Sequence, residues 1–117
     1  MGKIKVAVSS TGKDIQSGVS DIFGRCPYFI IAEIEDKKIV KIECIENASA
    51  NQIGGAGIYA ARTIAEKGAE VVISGNMGPR AFSVLKQFNI EVYRSNKGKS
   101  VEETLQEFIN GKLEKII

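Results

Sequence analysis

The sequence contains no histidine. That removes the commonest protein metal ligand and the commonest general base. Ser-His-Asp and Cys-His catalysis are therefore excluded within this chain. Cysteine is scarce as well, with only Cys26 and Cys44, and two thiolates cannot complete a tetrahedral four-cysteine site. Excess charge is missing too. A net charge of +2 leaves no electrostatic footprint for nucleic acid. No apolar run approaches the length needed to span a bilayer, and the opening MGKIKVAVSS has too short an apolar core for a signal peptide. These absences lead to an expected cytoplasmic location, with neither nucleic acid nor membrane as a partner. The first apolar stretch, IKVAVS, carries no carboxylate, so the clustered acids that metal-dependent nuclease chemistry needs are absent from it.

What is present fits one domain over residues 1–117, with 26% charged residues and enough chain for a real core. Two glycine-rich turns dominate the middle of the chain, in GGAGIYAARTIAEKGAEVVISGNMGP from Gly54 to Pro79. The first opens a helix expected over residues 56–67, which Gly68 ends. Val71-Val72-Ile73 reads as a buried strand. The second turn, Ser74 to Gly78, leads to Pro79 at a helix start. Loops that leave a parallel strand and enter a helix expose backbone N–H groups at the positive end of the helix dipole. This is a physical reason to expect an anionic ligand there.

Around this unit, residues 4–9 read as a strand and Ser9 to Asp21 as a polar loop. Pro27 holds Cys26 extended. Residues 28–35 and 38–46 form a hairpin about Asp36-Lys37, in which Val40, Ile42 and Cys44 share one face. A small buried role for Cys44 follows. In this register Cys44 faces Phe29, and Cys26 lies three residues further on, roughly 10 Å away. A disulfide needs Cα atoms within about 7 Å, so the cysteines are expected unbonded, with Cys26 the more accessible. Asn47 to Ile53 is a polar loop. Phe82, Leu85 and Phe88 form the apolar stripe of the second helix. Ile90 to Tyr93 form a short strand, and Ser100 with Glu103 cap the last helix as a capping box. The stripe of that helix is Val101, Leu105, Phe108 and Ile109. The tail KLEKII carries no clear pattern.

A hairpin followed by alternating helix and strand gives a five-stranded mixed sheet of order 3-2-1-4-5, with the second strand antiparallel and helices on both faces. Its switch point lies between the first and fourth strands, where Ser9-Ser10-Thr11 would meet Gly75-Asn76-Met77-Gly78. Gly55-Ala56-Gly57-Ile58-Tyr59-Ala60 fits G-x-G-x-x-A, but no strand directly precedes it and Ser74 ends the next strand, so a dinucleotide cofactor is excluded.

Phe23-Gly24-Arg25-Cys26-Pro27-Tyr28-Phe29, Gly55-Ala56-Gly57 with Ala60-Ala61, and Ser74-Gly75-Asn76-Met77-Gly78-Pro79-Arg80-Ala81 together carry a resemblance. The chain resembles the dinitrogenase iron–molybdenum cofactor biosynthesis family, the nitrogenase accessory-factor-like domains, from Ile4 to about Ile109. The resemblance implies a three-layer α/β/α ribonuclease H-like fold. It also implies a role in carrying or inserting an iron–sulfur or iron–molybdenum cluster rather than catalysis. Two departures stand out: Ile22 replaces a family arginine, and there is no histidine of the kind nitrogenase-linked members often use.

The sites expected for an anion or cluster are Ser10, Gly24, Arg25 and Cys26, the helix start at Gly55 and Gly57, and the loop of Gly75, Asn76, Met77 and Gly78. Arg25 and Arg80 would neutralise its charge. Arg25 would also favour a Cys26 thiolate as a metal ligand, holding one corner of an iron–sulfur cluster whose other ligands come from a partner or a second chain. The implied partner is a cluster-assembly or acceptor protein. The sequence leaves the oligomeric state open, with a monomer favoured. Two other readings stand beside the cluster carrier: a small phosphate- or anion-ligand protein, and a protein-interaction module without cofactor.

Overall fold

Strand β1, Ile4–Ser10, runs through the middle of a six-stranded sheet in the computed structural model. The structure describes residues 2–51 and 53–117; Gln52, within the loop expected over 47–53, lies outside them. Strands β2 (Tyr28–Glu35) and β3 (Lys38–Glu46) form the hairpin. Helix α1 (Ala56–Glu66), strand β4 (Val71–Ser74), helix α2 (Pro79–Gln87), strand β5 (Glu91–Arg94), helix α3 (Val101–Ile109) and strand β6 (Glu114–Lys115) follow. The sheet order is β3-β2-β1-β4-β5-β6. Strand β2 is antiparallel to β1, and β4 and β5 continue parallel to it. The expected order of the first five strands is the observed one.

The sixth strand was not expected. Tyr93 pairs with Lys115 and Arg94 with Glu114, and the Ile116 amide donates to the Val92 carbonyl at 2.7 Å. The unpatterned tail becomes a strand because β5 would otherwise leave its outer backbone groups unpaired.

Two apolar clusters divide the molecule into three layers. On one face Ala7, Phe29, Ile31 and Val72 pack against Ala60, Ala61 and Ile64 of α1 and Ala81 and Leu85 of α2. On the other, Val6, Val8, Ile30, Ala32 and Ile73 pack against Val101 and Leu105 of α3. The central strands are buried on both sides, which is why they read as near-continuous apolar runs. Gly68 adopts a left-handed φ of 82° and Asn89 one of 59°, each just past a helix end. Ser100 and Glu103 form the reciprocal capping box. In α2 the buried residues are Ala81 and Leu85, whereas Phe88, expected on the apolar stripe, is exposed.

The hairpin corrects two expectations. Asp36 and Lys37 have φ of 53° and 64°, the left-handed pair of a tight two-residue hairpin turn. A bulge then leaves Val40 opposite no residue: Lys41 pairs with Glu33 and Ile39 with Ile34. That extra residue shifts the ladder, so Cys44 faces Ile30 rather than Phe29. Val40, Ile42 and Cys44, expected on one face, are not core either, and the bulge takes Val40 out of step with the other two. All three are exposed, because β3 is the edge strand and the apolar cover of α3 extends only over the inner strands.

Candidate functional site

The 11–27 loop decides where a ligand can sit. It folds back over the ends of β1 and β4. The Thr11 amide donates to the Gly18 carbonyl, and the Ser20 amide to the Ser9 carbonyl at 2.9 Å. The Asn76 amide donates to the Asp21 carbonyl at 2.6 Å, and the Phe23 amide to the Asn76 carbonyl at 3.0 Å. The switch-point crevice is thereby filled by the chain itself.

The residues expected to meet in that crevice are accordingly buried or engaged. Ser10 is fully buried and its Oγ donates to the Gly12 carbonyl at 2.7 Å. Ser9 Oγ lies 2.8 Å from Ser74 Oγ. A Cβ on Gly75 would come within 2.8 Å of the Asp21 backbone, so this glycine is required by the loop against it. Met77 packs on the α1–α2 side of the core. Gly75 and Met77 border a small hollow of about 50 Å³, and Gly75 and Asn76 one of about 80 Å³.

Cys26 is corrected as well. It is 1% exposed, sits in the core cluster with Phe23 and Phe29, and its thiol donates to the Phe23 carbonyl at 3.2 Å. Burial pushes the thiol up to about 12, outweighing the hydrogen bonds that favour the thiolate. The accessible cysteine is Cys44. The expectation inverted the two because it placed Cys26 on a surface loop and the hairpin face inside.

A larger cavity, about 320 Å³, opens beside that loop where α1 and α2 begin. Three segments wall it: Ile22, Gly24 and Arg25; Gly55 to Ile58; and Gly78 to Ala81. Of the expected site residues it gathers Gly24, Arg25, Gly55, Gly57 and Gly78, and it leaves out Ser10, Cys26, Gly75, Asn76 and Met77.

The two helices start here in the same unusual way. Helix α1 has Gly55 as N-cap and α2 has Gly78, neither with a side-chain cap and neither with an acidic residue in its first turn. Helix α3, elsewhere, has a full capping box and both Glu102 and Glu103 in its first turn. The starts of α1 and α2 thus keep their positive ends open toward the cavity. Gly54 and Gly55 hold φ of 71° and 68° in succession, a turn that any other residue would strain. Arg80 is exposed on the rim. Arg25 lines the cavity while its Nη1 donates to the Ala50 carbonyl at 3.2 Å. The lining contains no acidic residue and no cysteine, histidine or methionine.

One residue behind this wall escaped the sequence reading. Asn47 is buried, and its Nδ2 donates to the Gly24 carbonyl at 3.1 Å and the Cys26 carbonyl at 2.7 Å. Its Oδ1 accepts from the Ser49 amide and hydroxyl at 3.1 and 2.7 Å. It pins the Gly24–Cys26 turn to the end of the neighbouring strand β3. An asparagine in a polar stretch carries no local pattern that announces this role.

Comparison with known proteins gives the family. Residues 3–111 match the family described as dinitrogenase iron–molybdenum cofactor. An uncharacterised protein of Methanocaldococcus jannaschii is 44% identical over 97 residues, covering 83% of this chain and 81% of that protein. The apo form of the orange protein from Desulfovibrio gigas superposes with a TM-score of 0.88 at 31% identity, over 95% of this chain and 91% of that one. A Thermotoga protein described as a candidate NifB protein of the DUF35 family superposes with a TM-score of 0.82 at 37% identity, over 97% of this chain and 93% of that one. With the family match covering all but its ends, the chain belongs to the dinitrogenase iron–molybdenum cofactor family.

Proposed function

We propose that this chain binds a small polyanionic metal–sulfur cluster as cargo in the cavity between the starts of α1 and α2. It acts as a carrier that passes the cluster to an acceptor protein and catalyses no reaction. The observation that carries this reading is the pair of uncapped helix starts, flanked by Arg25 and Arg80, on one cavity without a carboxylate. Backbone N–H groups and guanidinium groups favour negative charge without needing a covalent ligand. Ile22, Ile58 and Pro79 supply apolar walls, which suit a soft, weakly hydrated sulfide surface.

The donor set fits a preassembled polyanion and does not fit a cluster ligated by the protein's own thiolates. Among the described residues, no group of three or more histidine, cysteine, aspartate or glutamate side chains could hold a metal ion. Cys26 faces the core instead of the cavity. The family supports the cluster class; the cavity supports the mode of holding it.

Anaerobic titration with tetrathiomolybdate, a metal–sulfur dianion, followed by absorbance tests this. The wild type binds, Arg25→Gln/Arg80→Gln binds at least tenfold more weakly, and Cys26→Ser binds like the wild type. Binding that weakens with ionic strength is expected from the same electrostatics. Tight binding of ADP or inorganic phosphate with no binding of the thiometallate would replace the cluster by a phosphate ligand. Equal binding by the double arginine variant would remove the cavity from the reading.

A further inference from the structure

We propose that β3 is the interface of a homodimer in which two copies pair edge to edge, antiparallel, about a twofold axis at Ile42. Among the described residues no backbone hydrogen bond reaches the outer edge of this nine-residue strand. Edge strands are usually short, covered or guarded, because their unpaired backbone groups template another strand; this one is nine residues long and uncovered, with Lys38, Lys41 and the bulge as its guards. Here the edge also exposes apolar side chains: Val40 is 49% and Ile42 38% exposed, and Cys44 is exposed.

The occupant is chosen by the order of side chains. In Lys38–Glu46, KIVKIECIE, charge and hydrophobicity are self-complementary about Ile42. Antiparallel pairing at that centre sets Ile42 against its own copy and Lys41 against Glu43. Directly opposed residues share a sheet face. Ile42 and Cys44 lie beside Ala32 and Ile30 on the α3 side, so the central Ile42 pair continues that apolar face. The two Lys41–Glu43 pairs lie on the opposite face. Each of those residues already has one partner within its own chain, the half-buried Glu33 for Lys41 at 3.9 Å and the exposed Lys67 for Glu43 at 3.7 Å, so pairing joins them into networks. A register shifted by two residues would lose this match: Lys41 would face Lys41 or Glu43 would face Glu43. The bulge at Val40 bends the strand, so the regular ladder begins at Lys41 and the symmetric pairing is confined to residues 41–43. An interface of this extent belongs to the small, concentration-dependent class. This dimer replaces the monomer that the sequence favoured, and it is independent of the cavity.

Crosslinking of the full-length protein tests it. In Ile42→Cys/Cys44→Ser the only accessible thiol sits on the twofold axis, opposite its copy at a distance a disulfide can span. Oxidation by copper–phenanthroline, which takes two electrons and two protons from the thiol pair, is expected to give covalent dimer. The wild type is expected to give none, since Cys44 and its copy are roughly 13 Å apart in this register. Sedimentation equilibrium supplies a second measurement. Lys41→Glu is expected to raise the dimer dissociation constant at least tenfold, and Lys41→Glu/Glu43→Lys to restore it, because the exchange keeps every cross-pair opposite in sign. Far-UV spectra and melting confirm that each variant is folded. Absence of crosslinked dimer in folded Ile42→Cys/Cys44→Ser, equal crosslinking of the wild type through Cys44, or failure of the exchange to restore dimer would each overturn the proposal.

Discussion

Gly24 and Gly57 touch through their backbones. A Cβ built on Gly24 would lie 2.8 Å from the Gly57 nitrogen and 2.9 Å from its Cα. The turn before β2 therefore rests directly on the first turn of α1, and one wall of the cavity is set against another. Neither side of this contact is a flexible side chain that could move aside. Gly24→Ala is expected to cost about 1–3 kcal/mol, the range for forcing extra atoms into a packed site. A urea melt checks it, and a loss below about 0.5 kcal/mol would mean that the turn lifts off α1 freely.

The cysteines give a prediction opposite to the one their sequence positions suggest. Native Cys44 is expected to label rapidly with a thiol reagent, and Cys26 only as fast as the protein opens. Comparing Cys26→Ser with Cys44→Ser separates the two rates. Faster labelling at Cys26 in the folded protein would contradict its place in the core.

The same burial sets a pH dependence. The folded pKa of Cys26 is raised, so below the unfolded value of 9.0 its contribution is fully present. Between 9.0 and about 12 the unfolded chain releases the thiol proton while the native chain keeps it. Stability then falls with rising pH by about 1.4 kcal/mol per pH unit from this group. Denaturant melts at several alkaline pH values should show a steeper decline in the wild type than in Cys26→Ala.

Asn47→Ala removes the donor shared by the Gly24 and Cys26 carbonyls. The buried Cys26 carbonyl loses that donor, while the Gly24 carbonyl keeps Ser49 Oγ at 3.3 Å, so a loss of about 1–3 kcal/mol is the expectation. The turn should also loosen, so labelling of Cys26 should accelerate beyond what the stability loss alone produces. Unchanged labelling relative to stability would leave Asn47 as a bystander to that turn.

Thr104 Oγ1 is buried without a hydrogen-bond partner among the described residues. Replacing it by valine keeps the shape and removes an unsatisfied hydroxyl, so Thr104→Val is expected to be neutral or to stabilise by about 1 kcal/mol. Calorimetry checks it, and a clear fall in Tm would show that the hydroxyl has a partner after all.

Sequence by itself determined the elements whose causes are local. Gly68 ending α1, Pro79 opening α2, the Ser100–Glu103 box and the Asp36-Lys37 turn act within a few residues of chain, through φ preferences and neighbouring hydrogen bonds. Apolar runs and their order fixed the first five strands, because crossover handedness leaves few ways to lay them side by side. The burial of the cysteines, the filling of the switch-point crevice and the tail strand were decided only in tertiary structure. Each depends on which distant segment covers a residue. Cys26 is buried because Phe23 and Phe29 pack around it and Asn47 ties its carbonyl down. Cys44 is exposed because its strand lies at the edge. The cavity follows the same logic: its glycines and arginines were legible one by one, but the 11–27 loop, by occupying the crevice, moved the open space to the starts of α1 and α2.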